Sequence, residues 1–306
     1  MTANPGADPI STQISAPQPA WAKACDFLEL TKPRLTSLVL FTTFVGFWVG
    51  AAGSVPLLLL FHTMAGTALV AGGASAFNMY TERELDVMMK RTVLRPLASR
   101  RLKAGHALLF ALGISAAGFV YLFVFVNHLT SLLSAIIFAG YVFFYTPLKT
   151  KTWLCTFTGA LPGALPIVMG WTAANGALAL GAAVLFAIVF LWQIPHFYAI
   201  GWMYREDYAK AGFSMLSVVD ASGRRTARQA IFFIALLIVA TLLPVPFGKA
   251  GILYLSGAAI LNSIFMAYGI HFARLRSHPS ARQLFVCSAL YLPALLILLM
   301  LDSLVV

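Results

Sequence analysis

The sequence predicts an all-α polytopic membrane protein with nine transmembrane helices, and three observations carry the prediction. Apolar runs of spanning length follow one another from about residue 35 to the end, charged residues make up only 10% of the 306, and mean hydropathy is +0.85. A soluble domain carries about 25% charged residues, and a helix needs about 20 apolar residues to cross the hydrocarbon of a bilayer. With 60% of the chain drawn from AVILMFWYC, an ordinary soluble globule is excluded.

Residues 1–24 hold Pro, Ser, Ala and Gly with one Lys and no long apolar core, so they read as a flexible cytoplasmic tail and not as a cleaved signal. Residues 25–306 then form a single transmembrane domain. Apolar runs and their breaks place its helices at about 35–54, 57–80, 105–126, 129–146, 153–173, 177–203, 229–246, 250–272 and 284–301. The second closes in an acidic series and the fourth in Tyr145-Thr146-Pro147-Leu148-Lys149. The fifth carries Gly159-Ala160-Leu161-Pro162-Gly163-Ala164-Leu165-Pro166, small residues that permit close helix approach. The sixth runs through Trp192-Gln193-Ile194-Pro195-His196-Phe197.

The charge surplus of +11 is compatible with nucleic acid, an anionic membrane face or a phosphorylated substrate, and position decides between them. Nine spans put every Lys and Arg except Lys249 on one side, in the tail and the connections after helices 2, 4, 6 and 8. The positive-inside rule makes that side cytoplasmic and leaves the C-terminus outside. Orientation thus accounts for most of the surplus, no nucleic-acid partner is needed, and an inner (plasma) membrane location follows. Cys25, Cys155 and Cys287 lack CxxC spacing, so neither a disulfide framework nor a thiolate metal site is indicated.

The acids call for a different account, because they concentrate with bases in the connections after helices 2 and 6. Asn78, Glu82 and Asp86 recur at i, i+4 and i+8, which places three oxygen-bearing side chains along about 12 Å of one helix face. That set suits a hard divalent cation such as Mg²⁺, which takes a few carboxylate or amide oxygens and completes its shell with water and phosphates. Lys90, Arg91 and Arg95 follow as cations for the far oxygens of a diphosphate. A looser counterpart leaves helix 6 as Arg205-Glu206-Asp207-Tyr208-Ala209-Lys210. Two such exits suggest an internal repeat, and two halves packed face to face would gather two metals around one diphosphate. Tyr145 and Lys149 lie between them in sequence as a further hydroxyl and ammonium. His196, one turn from Gln193 and beside Trp192, allows a shared polar ligand. Charges at helix ends, not at the bilayer midplane, disfavour a transporter.

On these residues the chain resembles the UbiA superfamily of intramembrane prenyltransferases. The likeness covers roughly residues 30–303, from Leu30-Thr31-Lys32-Pro33-Arg34 through the Asn78/Glu82/Asp86 series, Lys90-Arg91-Thr92, Arg95-Pro96-Leu97, the Tyr145–Lys149 segment and Gly163–Trp171. The Trp192–Phe197 segment followed by Glu206-Asp207-Tyr208 points to the branch that prenylates heme. The family's first motif usually has Asp where Glu82 stands, and its second usually pairs two Asp four apart, where this chain has Met203 and Asp207. The resemblance implies nine helices around a central cavity, farnesyl diphosphate as donor, heme B as acceptor and Mg²⁺ as cofactor. It implies metal held by Asn78, Glu82, Asp86 and Asp207, and diphosphate held by Lys90, Arg91, Arg95, Tyr145, Lys149, Arg205 and Lys210. It makes His196, with Trp192 and Gln193, a heme contact or axial ligand, and implies a heme A synthase or an oxidase assembly factor as receiving partner. The alternative within the same fold is prenylation of an aromatic acid or quinone precursor.

Overall fold

A computed structural model describes residues 19–51, 53–246, 248 and 250–304, and among them there is helix and no strand. The long helices are α2 (Pro33–Gly50), α3 (Leu57–Asp86), α4 (Ala104–Phe125), α5 (His128–Ala139), α7 (Cys155–Asn175), α8 (Leu180–Met203), α11 (Arg224–Leu242), α12 (Ile252–Leu275) and α13 (His278–Asp302). A π-helical turn, Gly140–Tyr145, and the short α6 (Thr146–Leu148) extend α5, so that His128–Leu148 acts as one span. Eight of these rods are long and apolar enough to cross a membrane; α7 is the ninth, diluted by Thr, Gly and Pro.

Short elements complete the chain at the basic end: α1 (Ala20–Leu30), α9 (Arg205–Lys210) and α10 (Leu216–Val219). The expectation of a tail through residue 24 is corrected, because residues 20–24 already belong to α1; residues 1–18, like Lys249, lie outside the described residues. Asp26 of α1 pairs with Arg101, and Arg101 also reaches Glu29 at 2.8 Å and the carbonyl of Leu94 at 2.8 Å. α1 therefore braces the connection between α3 and α4.

The hub is α7, most of whose residues are buried. A Cβ at Gly170 would stand 1.9 Å from the carbonyl oxygen of Thr43, and one at Gly46 would stand 1.9 Å from that of Ile167. Only glycine lets the backbones of α2 and α7 come so close. Gly159 leaves room for the Tyr145 ring and Gly163 for the Gln193 amide in the same way, so the small-residue stretch sets the positions of α5 and α8. Pro162 and Pro166 sit inside α7 without ending it.

Candidate active site at the basic end of the bundle

The predicted row is present: Asn78, Glu82 and Asp86 lie on the last turns of α3 and are buried at 1%, 5% and 0% exposure. Burying two carboxylates is costly unless each is paired, and each has its cation. Lys149 Nζ donates to Glu82 Oε1 at 2.6 Å, and Arg95 Nη1 lies 2.8 Å from both carboxylate oxygens of Asp86. Asn78 Oδ1 accepts from Lys32 Nζ at 2.5 Å while its Nδ2 donates to Thr146 Oγ1 at 3.1 Å.

Local structure delivers each cation. After Asp86 the chain turns back, with Thr92 Oγ1 donating to the Asp86 carbonyl at 2.8 Å, which brings Arg95 under the end of its own helix. Lys149 follows α6, and its carbonyl accepts from Ser214 N at 2.7 Å, tying the α9–α10 connection to this corner. The Tyr145 ring then lies 4.5 Å and the Phe213 ring 5.9 Å from the ammonium. Lys32 precedes Pro33 with a left-handed backbone, φ 49°, that a β-carbon makes unfavourable. That turn starts α2 and aims the side chain at Asn78.

These groups line a cavity of about 310 Å³, near the lower end of small-molecule pockets. Lys32, Arg91, Arg95 and Lys149 face Glu82 and Asp86 across it, so cations outnumber carboxylates four to two. Its other walls are aromatic and apolar, with Tyr141 and Tyr145 from the π turn, Phe197 and Tyr198 from α8, and Tyr208 and Phe213 beyond. Burial works against the Lys149 ammonium, but Glu82, by charge and hydrogen bond, together with Tyr145 and Tyr141 outweighs it and raises its pKa. Lys32 goes the other way: burial, then the Arg95 guanidinium, pull it down to about 7 against the attraction of Glu82.

Not every expected residue joins this site. Lys90 and Lys210 are exposed and do not line the cavity, and Arg205 stacks over the Trp202 ring at 4.4 Å instead. Asp207 is half-buried and Glu206 exposed on α9, neither of them lining the cavity. The second acidic exit supplies Tyr208, whose hydroxyl is 3.5 Å from Arg91 Nη2, rather than a carboxylate. The face-to-face pairing of two acidic exits is thus not what the side chains form, and among the described residues there is no group of three His, Cys, Asp or Glu able to hold a metal. The row itself does fit Mg²⁺, which uses one or two carboxylates and leaves positions for phosphate oxygens.

The histidine segment turns toward α13. His196 Nδ1 is 2.7 Å from Ser288 Oγ, its ring stacks on Trp192 with centroids 4.9 Å apart, and Phe285 lies 5.0 Å away on α13. Trp192 Nε1 donates to the Ser288 carbonyl at 2.8 Å, and Gln193 Nε2 donates to the carbonyls of Val189 and Ala160 at 3.2 and 3.3 Å. None of the three lines the cavity; the face of α8 that does carries Phe197 and Gly201. Lys32 and Tyr141, by contrast, enter the site without having been singled out as binding residues. The Thr31-Lys32-Pro33-Arg34 segment was the available signal for the first, and nothing in the sequence marked the second.

A buried row of oxygen ligands with its own cations, set where helices leave a bilayer-spanning bundle, defines a class of polytopic membrane proteins that take an anionic head group at the water side and keep an apolar body among helices. The chain belongs to the UbiA prenyltransferase family, whose profile matches residues 39–296. It is similar to the protoheme IX farnesyltransferase of Solibacter usitatus, 47% identical over 90% of this chain and 98% of that one. It is also similar to the protoheme IX farnesyltransferase of Koribacter versatilis, 41% identical over 96% and 98% of the two chains. Among solved structures, a digeranylgeranylglyceryl phosphate synthase shares the fold with a TM-score of 0.79 at 17% identity, covering 93% of this chain and 100% of that one. A UbiA homologue from Archaeoglobus fulgidus bound to DMAPP and Mg²⁺ gives 0.61 at 15% identity over 90% and 99%.

Proposed function

We propose that this chain transfers the farnesyl group of farnesyl diphosphate to a vinyl group of heme B, giving heme O and diphosphate. The observation that carries the donor half is the paired row Asn78/Glu82/Asp86 facing Lys149, Arg95, Lys32 and Arg91. The acceptor half rests on the likeness to protoheme IX farnesyltransferases over nearly the whole chain.

Lys149, Arg95 and Arg91 hold the diphosphate oxygens and offset the charge that builds on the leaving group as the C1–O bond ionises. Lys32 orients Asn78 within the row. Asn78, Glu82 and Asp86 would hold Mg²⁺, which supplies Lewis-acid neutralisation of the phosphate oxygens. The rings of Tyr141, Tyr145 and Phe197 exclude water and present π faces to the allylic cation. The electron pair of the vinyl group forms the new C–C bond, and water adds to the resulting cation with loss of a proton, completing the hydroxyethylfarnesyl substituent. In the cell the basic end would face the cytoplasm across an inner membrane, and the product would pass to a heme A synthase or an oxidase assembly factor.

The test is incubation of the purified chain in detergent with heme B, farnesyl diphosphate and Mg²⁺, followed by mass analysis of the extracted heme and a parallel EDTA reaction. A metal-dependent gain of one hydroxyethylfarnesyl group is expected. Release of diphosphate without a heme product would keep the donor site and overturn the acceptor.

A further inference from the structure

A larger cavity lies away from this site. It is a groove of about 710 Å³ between α12 and α13 that shares no lining residue with the cavity above. Its residues on α13 recur at helical spacing along one face, so the groove runs lengthwise and not as a pit. The basic end is polar, formed by His278, Arg282 and Gln283 in the first turns of α13. Beyond Gln283 the same face turns apolar with Val286, Leu290 and Ala294.

From His278 to Ala294 the helix rises about 24 Å. One leaflet with its head-group layer measures about 20–22 Å, half of a whole bilayer. A cationic head and an apolar body of that length match one lipid standing in one leaflet. The charge selects its kind. Arg282 is exposed on the groove, Arg274 and Arg276 lie in the adjoining turn, and the N-terminal dipole of a 25-residue helix points the same way. Basic pockets between transmembrane helices on the basic side of a membrane protein bind anionic head groups.

We propose that this groove is a selective site for an anionic phospholipid, its phosphate held by Arg282 and His278 and one acyl chain lying along Val286, Leu290 and Ala294. A heme or a prenyl diphosphate in this groove would be walled off from the acid–base row, because α8 and the packed face of α13 intervene, with His196 on Ser288 between them.

The test is native mass spectrometry of the full chain in an uncharged detergent, titrated with dioleoyl-phosphatidylglycerol or dioleoyl-phosphatidylcholine. Phosphatidylglycerol is expected to bind the more tightly, and Arg282→Ala to weaken it about fivefold, with His278→Ala weakening it further and both changes weakening phosphatidylglycerol more than phosphatidylcholine. Ala294→Trp, which fills the apolar half and keeps the charges, is expected to weaken both lipids. Arg224→Ala, a basic residue elsewhere on the same end, is expected to change neither. Equal binding of the two lipids, or undiminished phosphatidylglycerol binding in the Arg282→Ala/His278→Ala protein, overturns the proposal. Displacement of bound phosphatidylglycerol by farnesyl diphosphate or heme B in the Asp86→Asn protein would also overturn it, by making the groove a substrate site.

Discussion

Arg95 Nη1 sits 2.8 Å from both carboxylate oxygens of Asp86, a residue with no exposed surface, nine positions earlier in the chain. The guanidinium is the partner that lets a carboxylate persist at the end of a membrane helix. Asp86→Asn keeps the shape and removes the charge, and turnover is expected to fall by about 10²–10³ in a protein that still folds. An Asp86→Asn enzyme with normal turnover would remove Asp86 from the donor site. Arg95→Ala leaves the carboxylate buried and unpaired, and is expected to cost about 3 kcal/mol of stability in addition to activity, read by thermal unfolding in detergent.

Lys149 and Glu82 form the second buried pair, at 2.6 Å. Lys149→Met and Glu82→Gln should each destabilise, and the double variant should lose less than the sum of the two single losses, by about 1–3 kcal/mol. Additive losses would mean that the two groups act separately. Because Lys149 is also expected to hold phosphate oxygens, the double variant recovers stability but not turnover.

The close approach of α2 and α7 makes a purely structural forecast. In Gly170→Ala the new methyl meets the Thr43 carbonyl oxygen at 1.9 Å, and a backbone atom in a packed helix pair has no room to withdraw. A loss of about 3 kcal/mol is expected, visible as poor recovery of folded protein from membranes. Gly176→Ala instead adds no contact within 4 Å and strains only its φ of +75°, so recovery should suffer far less.

For His196 the contacts with Ser288, Trp192 and Phe285 predict a packing role. His196→Ala is expected to lower stability by about 1–3 kcal/mol while the absorption spectrum of added heme B stays that of the wild-type complex. A shift of the Soret band in the variant would restore His196 as an iron ligand.

Asp220 gives a pH dependence outside the membrane. Its Oδ2 accepts from Thr226 N at 2.8 Å and from Thr226 Oγ1 at 3.0 Å in the first turn of α11. Burial is the largest single effect and raises its carboxyl, but these hydrogen bonds together with those from Ser222 and the Arg225 backbone outweigh it and hold it below the ordinary 3.8. A depressed folded-state pKa contributes stability that is fully present above 3.8 and lost as pH falls through the lower folded value. Asp220→Asn should therefore melt earlier than wild type at pH 7, and the gap should close below pH 3.8. A gap that does not change with pH would mean the ionised form contributes nothing.

What sequence reasoning reached and missed follows from how far each signal travels along the chain. The Asn78/Glu82/Asp86 row was legible because helical phase is a local property, and α3 keeps that phase without a break through Asp86. The bundle was legible because spanning length and apolarity are local too. Phase is also why Asp207 does not line the cavity. Tyr204, with φ −111° and ψ 21°, ends α8, and α9 starts afresh at Arg205, so the helical phase of α8 does not carry over to Asp207. The π turn at Gly140–Tyr145 is another break of phase with no mark in composition, and it brings Tyr141 to the cavity beside Tyr145. Lys32 meets Asn78 across 46 positions, a pairing that only the packing of α2 and α3 creates. His196 was weighted by residue type, whereas the α8 surface it occupies belongs to α13.

Four basic side chains against two carboxylates around the cavity bear on how the site would fill. With positive charge in surplus, the pocket would favour a polyanion over a bare divalent ion, so a metal held by the row is expected to bind together with the diphosphate. Lys149 and Arg95 would then trade carboxylate for phosphate oxygens, leaving Glu82 and Asp86 as the residues that would hold the metal. Metal affinity measured without donor should then be weak, and affinity measured with it should report the exchange rather than the row alone.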